Sequence, residues 1–177
     1  MLNGGTARLA RPAENRLFNA VLLFFLVALA TIAAAWGFER IGGYIPCDLC
    51  LKQRWPYYFA VPLAALLLRP AADARPLARW GLAILAVAMA ASALLGVYHS
   101  GVEWGWWTGP QACAGNIPRG LSPEQLKKYL FGAKMVRCDE TAWAMWGISM
   151  AGWNAILSAA LAFVLASGVA SWVRERR

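Results

Sequence analysis

A chain of 177 residues with 60% hydrophobic and only 15% charged residues is too poor in charge for an ordinary water-soluble domain, in which about a quarter of residues are charged. Lipid is therefore its expected main solvent, and the length suits a single compact domain, here residues 1–177. The net charge of +8 does not read as a nucleic-acid footprint, because the basic residues sit at the ends of apolar runs, where they act as topology signals rather than as a phosphate-binding patch.

Four apolar runs follow one another. The first, Leu17 to Trp36, carries no charge and has about the ~20 residues that a spanning helix needs. A cleaved signal peptide is the alternative. Its apolar stretch would usually be ~7–15 residues and end at a small-residue cleavage site, and neither feature is met, so a retained span is expected. The second run, Leu51 to Leu68, holds Lys52 and Arg54 near its start. The third, Trp80 to Tyr98, is charge-free. The fourth, Trp143 to Val173, is also charge-free and longer than the hydrocarbon core, so a span over about 143–166 is expected to tilt or to extend beyond the lipid. The fold predicted is an all-α membrane protein, a four-transmembrane-helix bundle. Small residues such as Ala86, Ala90, Gly147 and Ala151 are expected to let its helices approach closely.

Four spans put both termini on one side. The segments there, 1–16, 69–79 and 174–177, hold nine arginines against Glu14, Asp73 and Glu175. The opposite side spreads eight basic and six acidic residues over much longer loops. Basic density in short flanking segments sets orientation, so both termini are expected to be cytoplasmic. Trp36, Trp55, Trp104, Trp106, Trp107, Trp143 and Trp146 mark one interface, and Trp80 and Trp172 the other.

Two loops then face outward, at about 37–50 and 99–142. Together they contain all four cysteines: Cys47 and Cys50 in the first, Cys113 and Cys138 in the second. Within the second loop, Ser122-Pro123-Glu124-Gln125 has the form of an N-cap, a proline at N1 and a capping-box glutamine. Leu126, Tyr129 and Leu130 share one helical face, and Gly132 can end the helix. This is either a short helix lying on the membrane surface or a local turn that stabilises the loop.

Pro46-Cys47-Asp48-Leu49-Cys50 is a C-x-x-C beside a helix start, where the dipole favours a thiolate. Such a pair can be redox-active, half a zinc site, or structural. Zinc needs two further ligands, usually a second close pair, whereas Cys113 and Cys138 are far apart and His99 is the single histidine. No metal is therefore expected. Structural disulfides are common in outward loops, but so tight a ring is an inefficient staple. The third reading is a thiol–disulfide relay, with exchange between the two pairs. Cys113 and Cys138, on a long loop, can reach a soluble partner. Cys47 and Cys50, at the membrane surface, can reach something dissolved in lipid. With no glycine-rich dinucleotide fingerprint and no haem attachment motif, a quinone is the natural electron acceptor. Arg54, one turn past Cys50, is a cation at the membrane boundary, a costly placement that usually signals function. It could stabilise the Cys50 thiolate or a quinone oxygen, or simply snorkel to the headgroups. His99 lies at the same depth. On its own it reads equally as a structural hydrogen-bonder.

The stretch Pro46-Cys47-Asp48-Leu49-Cys50-Leu51-Lys52-Gln53-Arg54 resembles the P-C-x-L-C-x-x-Q-R signature of the disulfide bond formation protein B (DsbB) family. Tyr98-His99 with Gly101 and Glu103, then Pro110 and Cys113, resembles that family's third-span exit. The resemblance covers nearly the whole chain. It implies a bacterial inner-membrane protein with two periplasmic loops. By resemblance, Cys113–Cys138 oxidises a periplasmic thioredoxin-fold thiol oxidase of the DsbA kind, with Cys113 forming the mixed disulfide. Cys47–Cys50 then reoxidises that pair, with a Cys47–Cys138 bond as intermediate. Cys50 resembles the cysteine whose thiolate contacts ubiquinone or menaquinone, Arg54 the arginine needed for quinone use, and His99 a histidine lining the quinone region. The vitamin K epoxide reductase family also pairs a C-x-x-C with a membrane bundle, but there the motif follows the loop pair, whereas here it precedes it. A membrane protein whose disulfides merely staple its loops is the non-enzymatic alternative.

Overall fold

The computed structural model describes residues 12–72, 76–110, 120–132 and 134–175. Its elements in chain order are α1 (Pro12–Arg40), β1 (Tyr44–Ile45), α2 (Asp48–Ala72), α3 (Pro76–Glu103), α4 (Pro123–Gly132), β2 (Lys134–Met135), β3 (Ala144–Met145), β4 (Ile148–Ser149) and α5 (Met150–Glu175). Three of the five helices open on a proline, a residue that costs no hydrogen bond at the first helical position because the N–H there has no intrahelical acceptor. Of the two readings of the segment after Ser122, a helix or a local turn, the structure has the helix, α4, and the Ser122 carbonyl accepts from Leu126 N at 2.8 Å.

The four long helices form a closed ring. α3 packs most extensively on α5 and α1 on α2, and the α2–α3 and α1–α5 contacts complete it. The core is a set of helical stripes: Leu17, Val21, Phe24 and Ala28 on α1, Tyr57, Ala60, Ala64 and Leu67 on α2, Leu82, Leu85 and Met89 on α3, and Leu161 and Leu165 on α5. The outer faces are just as apolar. Leu66 and Phe163 are about three-quarters exposed, as are Val87 and Leu94. Contiguous exposed surface of this kind suits lipid and not water.

Among the described residues, three helices are long and apolar enough to cross a membrane: Arg16–Arg40, Pro76–Glu103 and Met150–Ser171. The protein is therefore a multi-pass, mostly helical membrane protein. α2 matches them in length, but Asp48, Lys52 and Arg54 lie in its first two turns and Pro56, Pro62 and Pro70 lie within it, which lowers its mean hydropathy. Interior prolines are tolerated in membrane helices because neighbouring groups satisfy the freed carbonyls.

Two expectations differ from the structure. The apolar run from Trp143 is not helical at its start. Ala144–Met145 and Ile148–Ser149 pair antiparallel around Trp146 and Gly147, which have φ of 53° and 78°. Two consecutive positive φ values make a tight hairpin turn, so the helix begins only at Met150, where the Ser149 hydroxyl caps Gly152 N at 3.1 Å. Hydropathy alone could not see this turn. Gly147 is accordingly a turn residue and not a packing residue, and Ala90 faces outward. Close approach occurs instead at Gly96, where an added Cβ would meet the backbone N and Cα of Ala155 on α5 at 2.9 Å. A bulkier residue there must part α3 from α5. We expect Gly96→Leu to destabilise the bundle by about 1–3 kcal/mol, as other overpacked cores are, read as a lower unfolding temperature in detergent.

Candidate functional site

The loop before α2 and the segment after α4 are zipped together by a two-residue parallel pairing in which Tyr44 opposes Lys134 and Ile45 opposes Met135. Val136 N continues it with a 3.2 Å bond to the Ile45 carbonyl. From that register the chain reaches Cys47 two residues after Ile45 and Cys138 three residues after Met135. Both arrive at one point, in a small buried cluster with Leu49 and Val102. Residues far apart in the sequence thus share one end of the bundle.

Cys47 stands immediately before α2 and acts as its cap. Its sulfur accepts from Cys50 N at 3.3 Å, and its carbonyl accepts from Leu51 N at 3.0 Å. Cys47 and Cys50 are thiols here, with their sulfurs 3.0 Å apart and Cys47 donating. That bond splits the pair. Donation to Cys50, followed by burial, pushes Cys47 up to about 12. Cys50 is held below the usual thiol range, chiefly because it receives the hydrogen bond, with the Arg54 charge contributing less. Near pH 8 Cys47 is then far less ionised than Cys50. Reduced protein should therefore be alkylated by iodoacetamide at Cys50 at least about tenfold faster than at Cys47, as peptide mass mapping would show. Equal rates would contradict the split.

The remaining neighbours come from three helices. His99 of α3 is buried. Its Nε2 lies 3.8 Å from the Cys47 sulfur and its Nδ1 lies 2.7 Å from Gln53 Nε2 on α2. The ligand atoms of Cys47, His99 and Cys138 all lie within 4.8 Å of one another. Asn154 of α5 donates to Gln53 Oε1 at 2.8 Å. The polar chain continues inward through Ser92 and Ser158 to the fully buried Tyr57, whose hydroxyl is 2.8 Å from Ser158 Oγ. Arg54 is engaged with protein groups. Its side chain is only 12% exposed, paired with Glu39 and donating to the Ala35 carbonyl at 3.2 Å.

These groups border a cavity of about 290 Å³ enclosed by α1, α2, the end of α3 and α5, near the lower limit of small-molecule sites. Its wall is apolar through Ile32, Ala35, Phe38, Tyr44 and Leu157, and Cys50, Gln53, Arg54, His99 and Asn154 supply the polar points. A second hollow, along Leu26, Val27 and Ala30 of α1, shares Thr31, Ala34 and Leu157 with it.

Of the expected site residues, the fold brings together Cys47, Cys50, Cys138, Arg54 and His99. Cys113 lies outside the described residues. Sequence reasoning gave Gln53 no role beyond its place in the signature, and did not single out Asn154 or Glu39. The signals were present: Gln53 lies one turn after Cys50, and Asn154 is an amide inside a charge-free apolar run, a rare placement in a membrane span. Glu39 had no signal, because its importance comes from facing Arg54 across two helices.

Residues 16–168 match the family described as Disulfide bond formation protein DsbB. A Rickettsia prowazekii protein described as uncharacterized is 29% identical over 169 residues, covering 93% of this chain and 94% of its own. A Verminephrobacter eiseniae protein named Disulfide bond formation protein B is 27% identical over 165 residues, covering 90% and 89% respectively. No solved structure matches.

Proposed function

Because the chain belongs to the disulfide bond formation protein DsbB family and so serves disulfide-bond formation at a membrane, we propose that it is a thiol:quinone oxidoreductase. In this reading it reoxidises a periplasmic DsbA-like thioredoxin-fold protein and delivers the electrons to a membrane quinone, ubiquinone or menaquinone. α2 is the fourth span, the membrane is the bacterial inner membrane, and both termini are cytoplasmic. The observation that carries the proposal is the position of Cys47. Its sulfur is 3.0 Å from Cys50, which borders the cavity, and within 4.8 Å of Cys138 on the other loop.

The relay follows from that position. The partner's dithiol is oxidised by the Cys113–Cys138 disulfide through a mixed disulfide at Cys113, which releases the Cys138 thiolate. Cys138 attacks the Cys47 sulfur of an oxidised Cys47–Cys50 pair. The Cys47–Cys138 bond forms, the Cys47–Cys50 bond breaks, and the electron pair leaves on Cys50. Cys50 is the better leaving group because its thiolate is the favoured one. Arg54 and the second amide hydrogen of Gln53 would hold the quinone's polar oxygens, with His99 lining the site and the apolar wall holding the ring. The bound quinone supplies a two-electron, two-proton acceptor. The adjoining hollow along α1 supports an acceptor that arrives from lipid.

The test is direct. Purified protein given a reduced DsbA-like protein and a soluble quinone analogue should oxidise the thiols and reduce the quinone in equal amounts. No quinone reduction, with both disulfides inert to that donor, would sink the enzyme reading and leave two structural staples.

A further inference from the structure

His99 has one ring nitrogen on each of two different partners, and both partners dictate the same proton position. On one side, Asn154 donates to Gln53 Oε1 at 2.8 Å. That bond turns the Gln53 amide so that its NH₂ faces His99 Nδ1 at 2.7 Å. An NH₂ can only donate, so Nδ1 must be the bare nitrogen. On the other side, Cys47 has one S–H, and it is committed to Cys50. The Cys47 sulfur therefore offers only lone pairs to Nε2, 3.8 Å away, and Nε2 must bring the proton. Asn154 also reaches Ser92 Oγ and Ser158 Oγ, the first accepting from its amide N–H and the second donating to its carbonyl oxygen.

We propose that Gln53 and Asn154 are positioning residues that lock His99 in the tautomer with its proton on Nε2, so that His99 donates to the Cys47 sulfur and stabilises it as a leaving thiolate. This rests on the relay reading above. The step it serves is the opening of the Cys47–Cys138 bond. A thiolate of the second pair attacks the Cys138 sulfur, a new disulfide to Cys138 forms, the Cys47–Cys138 bond breaks, and the electron pair remains on Cys47. Cys47 is the sulfur in this site most in need of help, since burial and its bond to Cys50 both oppose its thiolate, and His99 acts the other way. The same tautomer turns the imidazole lone pair away from the two sulfurs. The Cys47, His99 and Cys138 cluster is thereby arranged to donate a hydrogen bond and not to ligate a metal through His99.

The chain has one histidine, so ¹⁵N-histidine labelling reports His99 alone. In the wild-type protein reduced with dithiothreitol, without quinone or thiol partner, Nδ1 is expected at a pyridine-type shift and Nε2 at a pyrrole-type shift. The reverse assignment overturns the proposal whatever becomes of the enzymatic reading, because no turnover is measured. Asn154 hydrogen-bonds neither His99 nor Cys47, so Asn154→Leu acts on them only through Gln53, and Gln53→Leu serves as a second variant. Each is expected to lose the single Nε2–H pattern. Each should also slow, by about threefold or more, the opening by dithiothreitol of a Cys47–Cys138 disulfide held in a chain carrying Cys50→Ser and Cys113→Ser. An unchanged tautomer in both variants, or a changed tautomer with an unchanged opening rate, overturns the proposal.

Discussion

Replacing Cys50 by serine is expected to stop quinone reduction, with turnover falling by at least about 10³-fold, the scale seen when a group that acts in the reaction itself is removed. The reason is positional. Among the described cysteines, Cys50 is the one that borders the cavity and the one whose thiolate is favoured. Without it Cys47 has no disulfide to offer, so Cys138 has nothing to attack. The variant should still oxidise up to one equivalent of a reduced DsbA-like protein through its second pair and then stop. Quinone reduction at the wild-type rate would mean that the electrons leave by another route.

Arg54→Ala is expected to lower kcat/KM for a quinone analogue by about 10²–10³-fold, the usual cost of removing one preorganised donor from a buried charge-stabilising site. Both disulfides should still form. Arg54 is well placed for this role because Glu39 and the Ala35 carbonyl hold its fork in position. A guanidinium already fixed at the cavity wall loses little freedom when it meets an oxygen. Lysine keeps the charge but not the planar fork, so Arg54→Lys should recover only part of the loss. Stopped-flow quinone reduction at several quinone concentrations separates the binding effect from the turnover effect. Unchanged kinetics in Arg54→Ala would show that the arginine serves only the Glu39 pair.

Much of the site was legible in the chain. Cys47, Cys50 and Arg54 lie within eight consecutive residues, and a helix turn converts that spacing directly into proximity. His99 could be placed near the C-x-x-C end of the bundle from its position at the end of an apolar run. Its partners could not be read, because Gln53, Asn154 and His99 belong to three different helices and meet only when those helices pack. The hairpin at Ala144–Ser149 was hidden for a different reason. Its residues are apolar enough to read as span, and only two positive-φ positions distinguish it from helix.

The sequence by itself determined the solvent, the apolar helices and the presence of a C-x-x-C beside a helix start, because hydropathy and short-range spacing are properties of consecutive residues. The tertiary structure decided which groups act on one another. A two-residue parallel pairing brings Cys138 beside Cys47, and the packing of α1 on α2 sets Glu39 against Arg54. The meeting of α2, α3 and α5 fixes the proton of a single histidine. Each of these is a contact between distant segments, and no local pattern encodes where such segments will meet.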